Sequence, residues 1–170
     1  MPSLAEINSL TRAAFTAALG HLFEHSPWVA DETWPQRPFR DAAHIHTALC
    51  ATMRAASKEK QLALIRAHPD LAGRLAQQNQ LTAESTREQA SAGLNQLTAA
   101  ELAEFQKNNA AYLARFGFPF IICARLTNKS AILAAMQSRL SNSVDAEFST
   151  ALGEIEKIAQ LRLNDLLQTK

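Results

Sequence analysis

The chain has 170 residues, of which 47% are hydrophobic and 19% are charged. This length favours one domain, and this composition excludes a disordered or polyelectrolyte chain. The formal net charge of +1 argues against a protein whose main role is to coat nucleic acid or an anionic membrane. The small numbers of glycine, proline and aromatic residues argue against an all-β sandwich, so the composition favours helices.

Two cysteines, Cys50 and Cys123, lie far apart in the sequence and form no C-x-x-C pair. A disulfide between them stays open, but two reduced thiols in a cytosolic protein are the favoured interpretation. Residues 1–6 include an early acid and lack a basic region followed by an apolar run, so we expect no secretory signal. The apolar stretch 116–124 is shorter than a membrane helix requires. The sequence therefore predicts a cytoplasmic protein that does not span a membrane.

Capping signals predict helices along most of the chain. A small polar residue precedes each apolar periodic run, and an acid three residues later often completes a capping box. The predicted caps are Ser3, Thr11, Ser26, Asp41, Ser57, Asp70, Ser85 and Thr98. The predicted helices include 12–20, about 27–29, 42–55, 58–67, 71–78, 99–115, 129–140 and 144–167, with an irregular proline-rich stretch over 34–39.

One segment, 116–124, does not fit the helical pattern. It contains a glycine and a proline, follows a long predicted helix and is apolar on every side. We therefore expect a buried extended segment at about 116–124. No linker, low-complexity tract or internal repeat interrupts the chain. The predicted architecture is an all-α, single-domain helical bundle over residues 1–170.

Residues 21–25, with the sequence HLFEH, match the H-x-x-E-H pattern of some zinc enzymes. Such a site needs a further ligand and a helix that continues past the second histidine, whereas Ser26-Pro27 ends this helix. His44 and His46 are two residues apart and lie on different helix faces, so they cannot share a metal ion. No glycine-rich phosphate loop or G-x-S-x-G elbow is present. We therefore expect no metal and no other cofactor, and keep a zinc hydrolase as an alternative.

Two polar residues, His68 and Glu88, allow both a structural and a chemical interpretation. Pro69 forces His68 out of the α region, so His68 lies at a helix end, where the helix dipole favours the protonated ring. His68 would either complete a cap at the surface or exchange its proton near neutral pH. Glu88 would either be the N3 partner of a Ser85 capping box or a site residue.

Arg162 falls on the apolar face of the last predicted helix. At 100° per residue this face is defined by Phe148, Leu152, Ile155, Ala159 and Leu166. A buried guanidinium needs an anion, so Arg162 either pairs with an internal carboxylate, extends to solvent, or binds an anionic ligand. An apolar helical domain with this arginine and a poised histidine is typical of an enzyme that acts on a small anionic substrate.

Several segments together resemble the hallmark motifs of the 2-oxo-4-hydroxy-4-carboxy-5-ureidoimidazoline (OHCU) decarboxylases. They are HPDLAG over 68–73, S-x-x-EQA-x-AGL over 85–94 and FGFPF over 116–120. The supporting segments are FEHSPWV over 23–29, RPF over 37–39 and EI-x-x-IA-x-x-RL over 154–163. The resemblance extends over about 15–165. One departure is Asn108-Asn109, where Leu-Asn is expected, and it implies a change in packing only.

The resemblance implies an all-α, cofactor-free enzyme that is commonly a homodimer. It implies decarboxylation of OHCU to (S)-allantoin and CO2, the last step of urate degradation, after urate oxidase and 5-hydroxyisourate hydrolase. Loss of CO2 moves two electrons toward a ring C=N bond, so no metal or pyridoxal is needed. Because the uncatalysed reaction gives racemic product, the enzyme would mainly position the substrate and deliver a proton to one face. We expect no nucleic-acid and no membrane partner.

The resemblance assigns His68 as the catalytic proton donor and Glu88 as a catalytic residue that binds N–H groups and orients His68. The implied substrate-binding residues are Pro69, Ser85, Thr86, Arg87, Glu88, Gln89, Phe120, Ile121, Ile122, Cys123, Ala124 and Arg162. Gln89 would offer a donor and an acceptor to a urea-like group. The extended segment would offer backbone groups that no helix uses. A helical binding module without turnover is the main alternative, and the presence of all three polar residues, His68, Glu88 and Arg162, argues against it.

Overall fold

The computed structural model describes residues 2–167, with residues 75 and 77 described by their backbone alone. The outermost residues of the predicted domain, 1 and 168–170, lie outside this range. The described range contains helices and no β-strand, which confirms the all-α prediction. The α-helices are α1 Leu4–Ser9, α2 Arg12–Leu19, α3 Trp28–Thr33, α4 Ala42–Ala55, α5 Lys58–Ala67, α6 Arg74–Gln77, α7 Ala83–Ser91, α8 Ala99–Phe116, α9 Lys129–Arg139 and α10 Val144–Leu167.

Single 3-10 turns add to these helices at Gly20–Leu22, Trp34–Gln36 and Ala124–Leu126. The predicted bounds of α4, α5, α8, α9 and α10 are confirmed to within two residues. Among the described residues, no helix combines the length and the apolar character that crossing a membrane requires.

Most of the predicted caps form as expected. Ser3 and Thr98 each make a capping box, in which the side chain of Glu6 or Glu101 accepts the backbone N–H of the cap residue. Side-chain oxygens of Thr11, Asp41 and Ser57 likewise accept a backbone N–H from the first turn of α2, α4 and α5. Each cap of this kind contributes about 1 kcal/mol, because it satisfies an amide that the helix leaves unbonded.

Two other helices begin at a different cap from the predicted one. Pro27 occupies the N-cap position of α3, so the prediction of Ser26 as its cap is wrong. Thr82 caps α7, and its hydroxyl accepts the N–H of Ser85 at 3.2 Å. Ser85 therefore lies inside α7, and the prediction of a Ser85 capping box with Glu88 at N3 is wrong. The sequence offers two cap residues three positions apart, and the helix begins at the first.

The prediction of a helix over 71–78 capped by Asp70 is also wrong. The amide of Gly73 donates to the carbonyl of Asp70 at 3.2 Å, which closes a turn, and α6 begins only at Arg74. A Cβ atom on Gly73 would lie 2.5 Å from the Cβ of Asp70, so this turn requires glycine. Ala72, with a φ of +51°, adopts the left-handed conformation that ends helical geometry.

Within the described range the chain forms two compact units. Unit 1 comprises residues 2–67 and 156–167, and unit 2 comprises residues 68–155. A single domain would unfold as one unit, and the single domain over residues 1–170 stays a prediction.

Unit 1 is organised around α3, which packs against α2 and α4. Its fully buried side chains include Phe15, Leu19, Val29, Ile45, Leu49 and Met53. Arg37 holds the loop after α3, because its guanidinium donates to the carbonyls of Asn8 and Leu10 at 2.7 Å and stacks on the Trp34 ring. The peptide bond between Arg37 and Pro38 is cis.

Unit 2 contains an aromatic cluster between α8, α10 and the segment that follows α8. The rings in contact are Tyr112, Phe116, Phe118, Phe120 and Phe148. Residues 118–123 belong to no helix and are mostly buried, which confirms the buried extended segment. Its predicted ends differ slightly, because Phe116 ends α8 and Ala124 begins a 3-10 turn. Gly117 stops α8 with a φ of +73°.

Candidate functional site

His68 directly follows α5 and opens unit 2. It is 8% exposed, so the interpretation that places His68 at the surface is wrong. Pro69 comes next, and the tight turn closed between Asp70 and Gly73 ends the segment. The backbone that carries the imidazole is therefore a short, sharply defined loop, 68–73, which we call the His68 loop.

Two side-chain amides hold the His68 loop from neighbouring helices. Gln89 of α7 accepts the N–H of Ala72 on its Oε1 at 3.0 Å and donates from Nε2 to the carbonyl of Asp70 at 3.4 Å. Asn109 of α8 donates from Nδ2 to the carbonyl of Leu71 at 2.9 Å. The donor and the acceptor that we expected Gln89 to offer to a urea-like group thus both contact protein backbone.

Helix α7 presents three of the predicted site residues on one face. Ser85, Glu88 and Gln89 are three and four residues apart, which places them on adjacent turns of the same side. Ser85 and Gln89 are buried and Glu88 is half-buried. Thr86 and Arg87 lie on the other faces and are exposed. The structure therefore brings together the first three residues and not the last two.

The extended segment 120–124 has its backbone partly bound by side chains of unit 2. The carbonyl of Ile121 accepts from Arg139 Nη1 at 2.8 Å, and the N–H of Cys123 donates to Glu154 Oε2 at 2.8 Å. Phe120, Cys123 and Ala124 are buried, as is Ile121, while Ile122 is half-buried. These two backbone groups are used by the protein itself, so a substrate would have to bind to others.

A buried ionic cluster around Glu147 contacts this segment through Arg139. Glu147 is fully buried and accepts from the Tyr112 hydroxyl, from Arg139 Nε at 2.6 Å and from Asn142 Nδ2 at 2.8 Å. The Arg139 guanidinium also stacks on Phe120, 4.2 Å from the ring centroid. Burial and the neighbouring Glu147 carboxylate raise the pKa of Tyr112 well above its usual value. Tyr112 therefore stays protonated and donates to Glu147.

This cluster was not predicted from the sequence, although the sequence contains one signal for it. Glu147 precedes Ala151 by one helical turn, so it borders the buried face of α10 on which an acid is unusual. Arg139 lies in the last turn of the predicted helix 129–140, where a basic residue is normally explained by the helix dipole.

Helix α7 also lies next to the end of the extended segment. It packs against the 3-10 turn Ala124–Leu126, and the N–H of Lys129 donates to the carbonyl of Ala92 at 3.1 Å. Within unit 2 the fold therefore places the His68 loop, the Ser85–Glu88–Gln89 face and the end of the extended segment around one helix.

Arg162 belongs to unit 1, and its partner there is an acid. It is 5% exposed, its Nη2 lies 3.0 Å from Glu24 Oε2, and its Nη1 donates to the carbonyl of His21 at 3.2 Å. Of the three interpretations, pairing with an internal carboxylate is therefore confirmed. Binding of substrate by Arg162 stays a prediction.

The H-x-x-E-H pattern does not form one helix face. Residues 20–22 make a single 3-10 turn, and His25 has a φ of +45°. Glu24, the acid of the pattern, is bound to Arg162. In the part of the chain that the structure describes, no group of three His, Cys, Asp or Glu side chains could hold a metal ion.

Both cysteines are free thiols. Cys123 is buried in the extended segment, and Cys50 is half-buried beside His46. Burial, with the nearby Glu156 carboxylate, raises the pKa of Cys50 to about 12, so this thiol is protonated and unreactive at neutral pH.

The family model for OHCU decarboxylase matches residues 8–164. A 2-oxo-4-hydroxy-4-carboxy-5-ureidoimidazoline decarboxylase of Haloferax volcanii is 43% identical over 161 residues, which are 95% of this chain and 94% of that protein. The decarboxylase of the same name from Mus musculus is 40% identical over 164 residues, 96% of this chain and 92% of that protein. A crystal structure of an (S)-allantoin synthase superposes with a TM-score of 0.77 at 30% identity, covering 99% of this chain and 55% of that one.

Proposed function

The chain belongs to the OHCU decarboxylase family, and from this we propose that it decarboxylates OHCU to (S)-allantoin and CO2, the last step of urate degradation. One observation in the structure supports the proposal most directly. The buried His68 sits on a loop that is bonded to α7, the helix that also carries Glu88. A buried histidine on a loop that is bonded to the helix carrying a half-buried carboxylate suits stereospecific proton delivery.

The proposed reaction needs one bond cleavage and the net uptake of one proton. The bond between the carboxylate and the hydroxyl-bearing ring carbon breaks, CO2 leaves, and the electron pair moves toward the adjacent C=N bond. The nitrogen of the former C=N bond and the ureido-bearing carbon each take up a proton, the hydroxyl loses its proton as its oxygen becomes a carbonyl, and the net change is the gain of one proton for the CO2 lost. Protonation on a single face sets the chirality of the product.

Four side chains have proposed roles in this step. His68 delivers the proton, since an imidazole exchanges protons near neutral pH. Glu88 accepts hydrogen bonds from N–H groups of the substrate and orients His68. Ser85 donates its hydroxyl to a substrate oxygen. Gln89, which is bonded to the His68 loop through both ends of its amide, contributes its second N–H to the substrate.

The remaining proposed contacts follow from the family resemblance. The substrate ring binds to backbone groups of the segment Phe120, Ile121, Ile122, Cys123 and Ala124 that Arg139 and Glu154 do not use. Pro69, Thr86, Arg87 and Arg162 complete the proposed set. Thr86 and Arg87 are exposed and Arg162 is paired with Glu24, so each of these three contacts needs its own test.

The proposal also covers the setting of the reaction. The protein acts without a cofactor, in the cytoplasm and as a homodimer, on the product of 5-hydroxyisourate hydrolase. Sedimentation velocity at micromolar concentration tests the homodimer, which predicts a single species of twice the chain mass.

Substitution of His68 tests the function. We expect His68→Asn to fold normally and to lose nearly all stereospecific turnover, and Glu88→Gln to lose most of it. His25→Asn is the matched control, because His25 is exposed and asparagine tolerates its positive φ. A folded His68→Asn variant that produces optically active allantoin at the wild-type rate would refute the role of His68. A wild-type protein without turnover would favour a helical binding module instead.

A further inference from the structure

We propose that Asn109 is a positioning residue for the reaction, because its side-chain amide fixes the backbone that carries His68. The inference rests on the proposed function, in which His68 must deliver a proton to one face of the substrate. Asn109 acts through the His68 loop and has no assigned contact with substrate.

The contact is made between two buried groups. Asn109 is 9% exposed and Leu71 is 7% exposed, and the 2.9 Å bond from Nδ2 reaches a carbonyl in the middle of the loop. A buried carbonyl that loses its donor must find another partner or shift toward water. Loss of this amide would therefore move the loop rather than leave it in place.

The bond from Asn109 adds to two bonds that Gln89 makes with the same loop. Gln89 binds the flanking groups, the carbonyl of Asp70 and the N–H of Ala72, so the two amides together hold three consecutive residues. These bonds from Gln89 and Asn109, which we call the clamp, hold the backbone at and beside Ala72. Ala72 has a left-handed conformation, which a non-glycine residue adopts only when its surroundings require it. His68 is three residues before the carbonyl that Asn109 binds.

Small displacements of this loop matter for the chemistry. A proton donor has to lie within hydrogen-bond distance of the reacting carbon, and a shift of about 1 Å can lower a rate by about 100-fold. A donor that moves away from its face of the substrate also leaves protonation to water, which attacks both faces. Loss of the clamp should therefore lower both the rate and the optical purity of the product.

The neighbouring residue provides a matched control on the same helix. Asn108 is 7% exposed, and its Nδ2 has no hydrogen-bond partner within residues 2–167. No hydrogen bond joins Asn108 to the His68 loop in that range. Leucine has the same branching at Cγ as asparagine, with two methyl groups in place of the amide oxygen and nitrogen. The same substitution at 108 and 109 therefore removes one amide that binds the loop and one that does not.

The experiment compares wild type, Asn109→Leu and Asn108→Leu. Far-ultraviolet circular dichroism first confirms that each variant is folded at 25 °C. We then measure kcat, KM and the enantiomeric ratio of allantoin, the last extrapolated to high protein concentration so that spontaneous turnover does not contribute. Hydrogen exchange of the peptide that covers 68–73 is followed without substrate.

For Asn109→Leu we expect kcat to fall by about 10- to 100-fold with KM changed by less than about threefold. We expect its enantiomeric ratio to fall and exchange over 68–73 to become faster. Asn108→Leu should match wild type in all of these. A merely structural role would reduce the amount of active protein and leave the enantiomeric ratio unchanged.

A folded Asn109→Leu variant with the wild-type kcat and enantiomeric ratio would overturn the inference. If Asn109→Leu does not fold, Asn109→Ala, which only removes atoms, takes its place with the same expected outcomes. An inactive wild type would overturn the proposed function itself, and this outcome is distinct because it is read before any variant is compared.

Discussion

The guanidinium of Arg162 and the carboxylate of Glu24 lie 3.0 Å apart, with only 4% and 3% of their side chains exposed. The two residues are separated by 138 positions in the chain, so the pair ties α10 to the segment that precedes α3. Desolvation of both charges offsets much of their attraction, but removal of one partner leaves the other charge buried and unpaired. This relationship makes a direct prediction about stability.

Arg162→Met should destabilise the protein by about 3–5 kcal/mol, because Glu24 is left as an isolated buried carboxylate. Adding Glu24→Gln should recover most of this loss, since the neutral amide needs no counter-ion. Urea denaturation of the single and double variants measures both effects. Arg12→Met is the control, because Arg12 forms an exposed pair with Asp31 and its removal should matter little. Equal losses in the free energy of unfolding for Arg162→Met and Arg12→Met would show that burial does not increase the contribution of the Arg162–Glu24 pair to stability.

Arg139→Met should weaken the buried ionic cluster around Glu147, which binds the extended segment. It leaves the fully buried Glu147 without its cation, at an expected loss of about 3–5 kcal/mol, and it frees the carbonyl of Ile121. If that segment binds substrate as proposed, KM should rise in addition. Denaturation and steady-state kinetics measure the two effects. Lys107→Met, at an exposed position of α8, should change neither, and a stable Arg139→Met variant with normal KM would contradict this account.

Asp70 predicts a specific dependence of stability on pH. Burial raises the pKa of Asp70 above its usual value of 3.8, so the folded protein holds this proton at pH values where the unfolded chain has released it. The contribution of Asp70 to the free energy of unfolding therefore decreases as the pH rises above 3.8. It stays reduced at every pH above the pKa that Asp70 has in the folded protein. Asp70→Asn should be more stable than wild type at pH 7, and the difference should disappear below pH 3.8. A less stable variant at pH 7 would show that the carboxylate makes a favourable interaction.

Treatment with a chelator tests the prediction that no metal takes part. Protein dialysed against EDTA and then freed of it should retain its full rate of turnover and its midpoint of thermal unfolding. A loss of activity that zinc restores would support the H-x-x-E-H interpretation of residues 21–25. His21→Asn would then have to abolish the effect of zinc.

Local signals in the sequence predict the helices well, because a cap and an apolar periodicity act over only a few residues. Thr98 and Glu101 predict the beginning of α8, and the glycine and the proline of 117–119 predict its end. The turn at 70–73 could not be predicted in this way. Its geometry depends on the close approach of Gly73 to Asp70 and on amides 17 to 38 residues away, at Gln89 and Asn109.

The site residues show the same division. Periodicity identified Arg162 as a charge on an apolar face, but the identity of its partner depends on tertiary packing that no local pattern contains. The His68 and Glu88 motifs predict chemistry through the family resemblance. Asn109, which binds the His68 loop, and Arg139, which binds the extended segment, carry no motif that a single sequence reveals.

Circular dichroism of freshly generated OHCU, followed to completion with and without the protein, tests the central claim most directly. Without protein, spontaneous decay yields racemic allantoin and the final signal is zero. With the wild-type protein we predict a faster reaction and a lasting signal with the sign of (S)-allantoin. A final signal of zero at a protein concentration that accelerates the reaction would contradict stereospecific decarboxylation. A decay indistinguishable from the spontaneous one would contradict catalysis altogether.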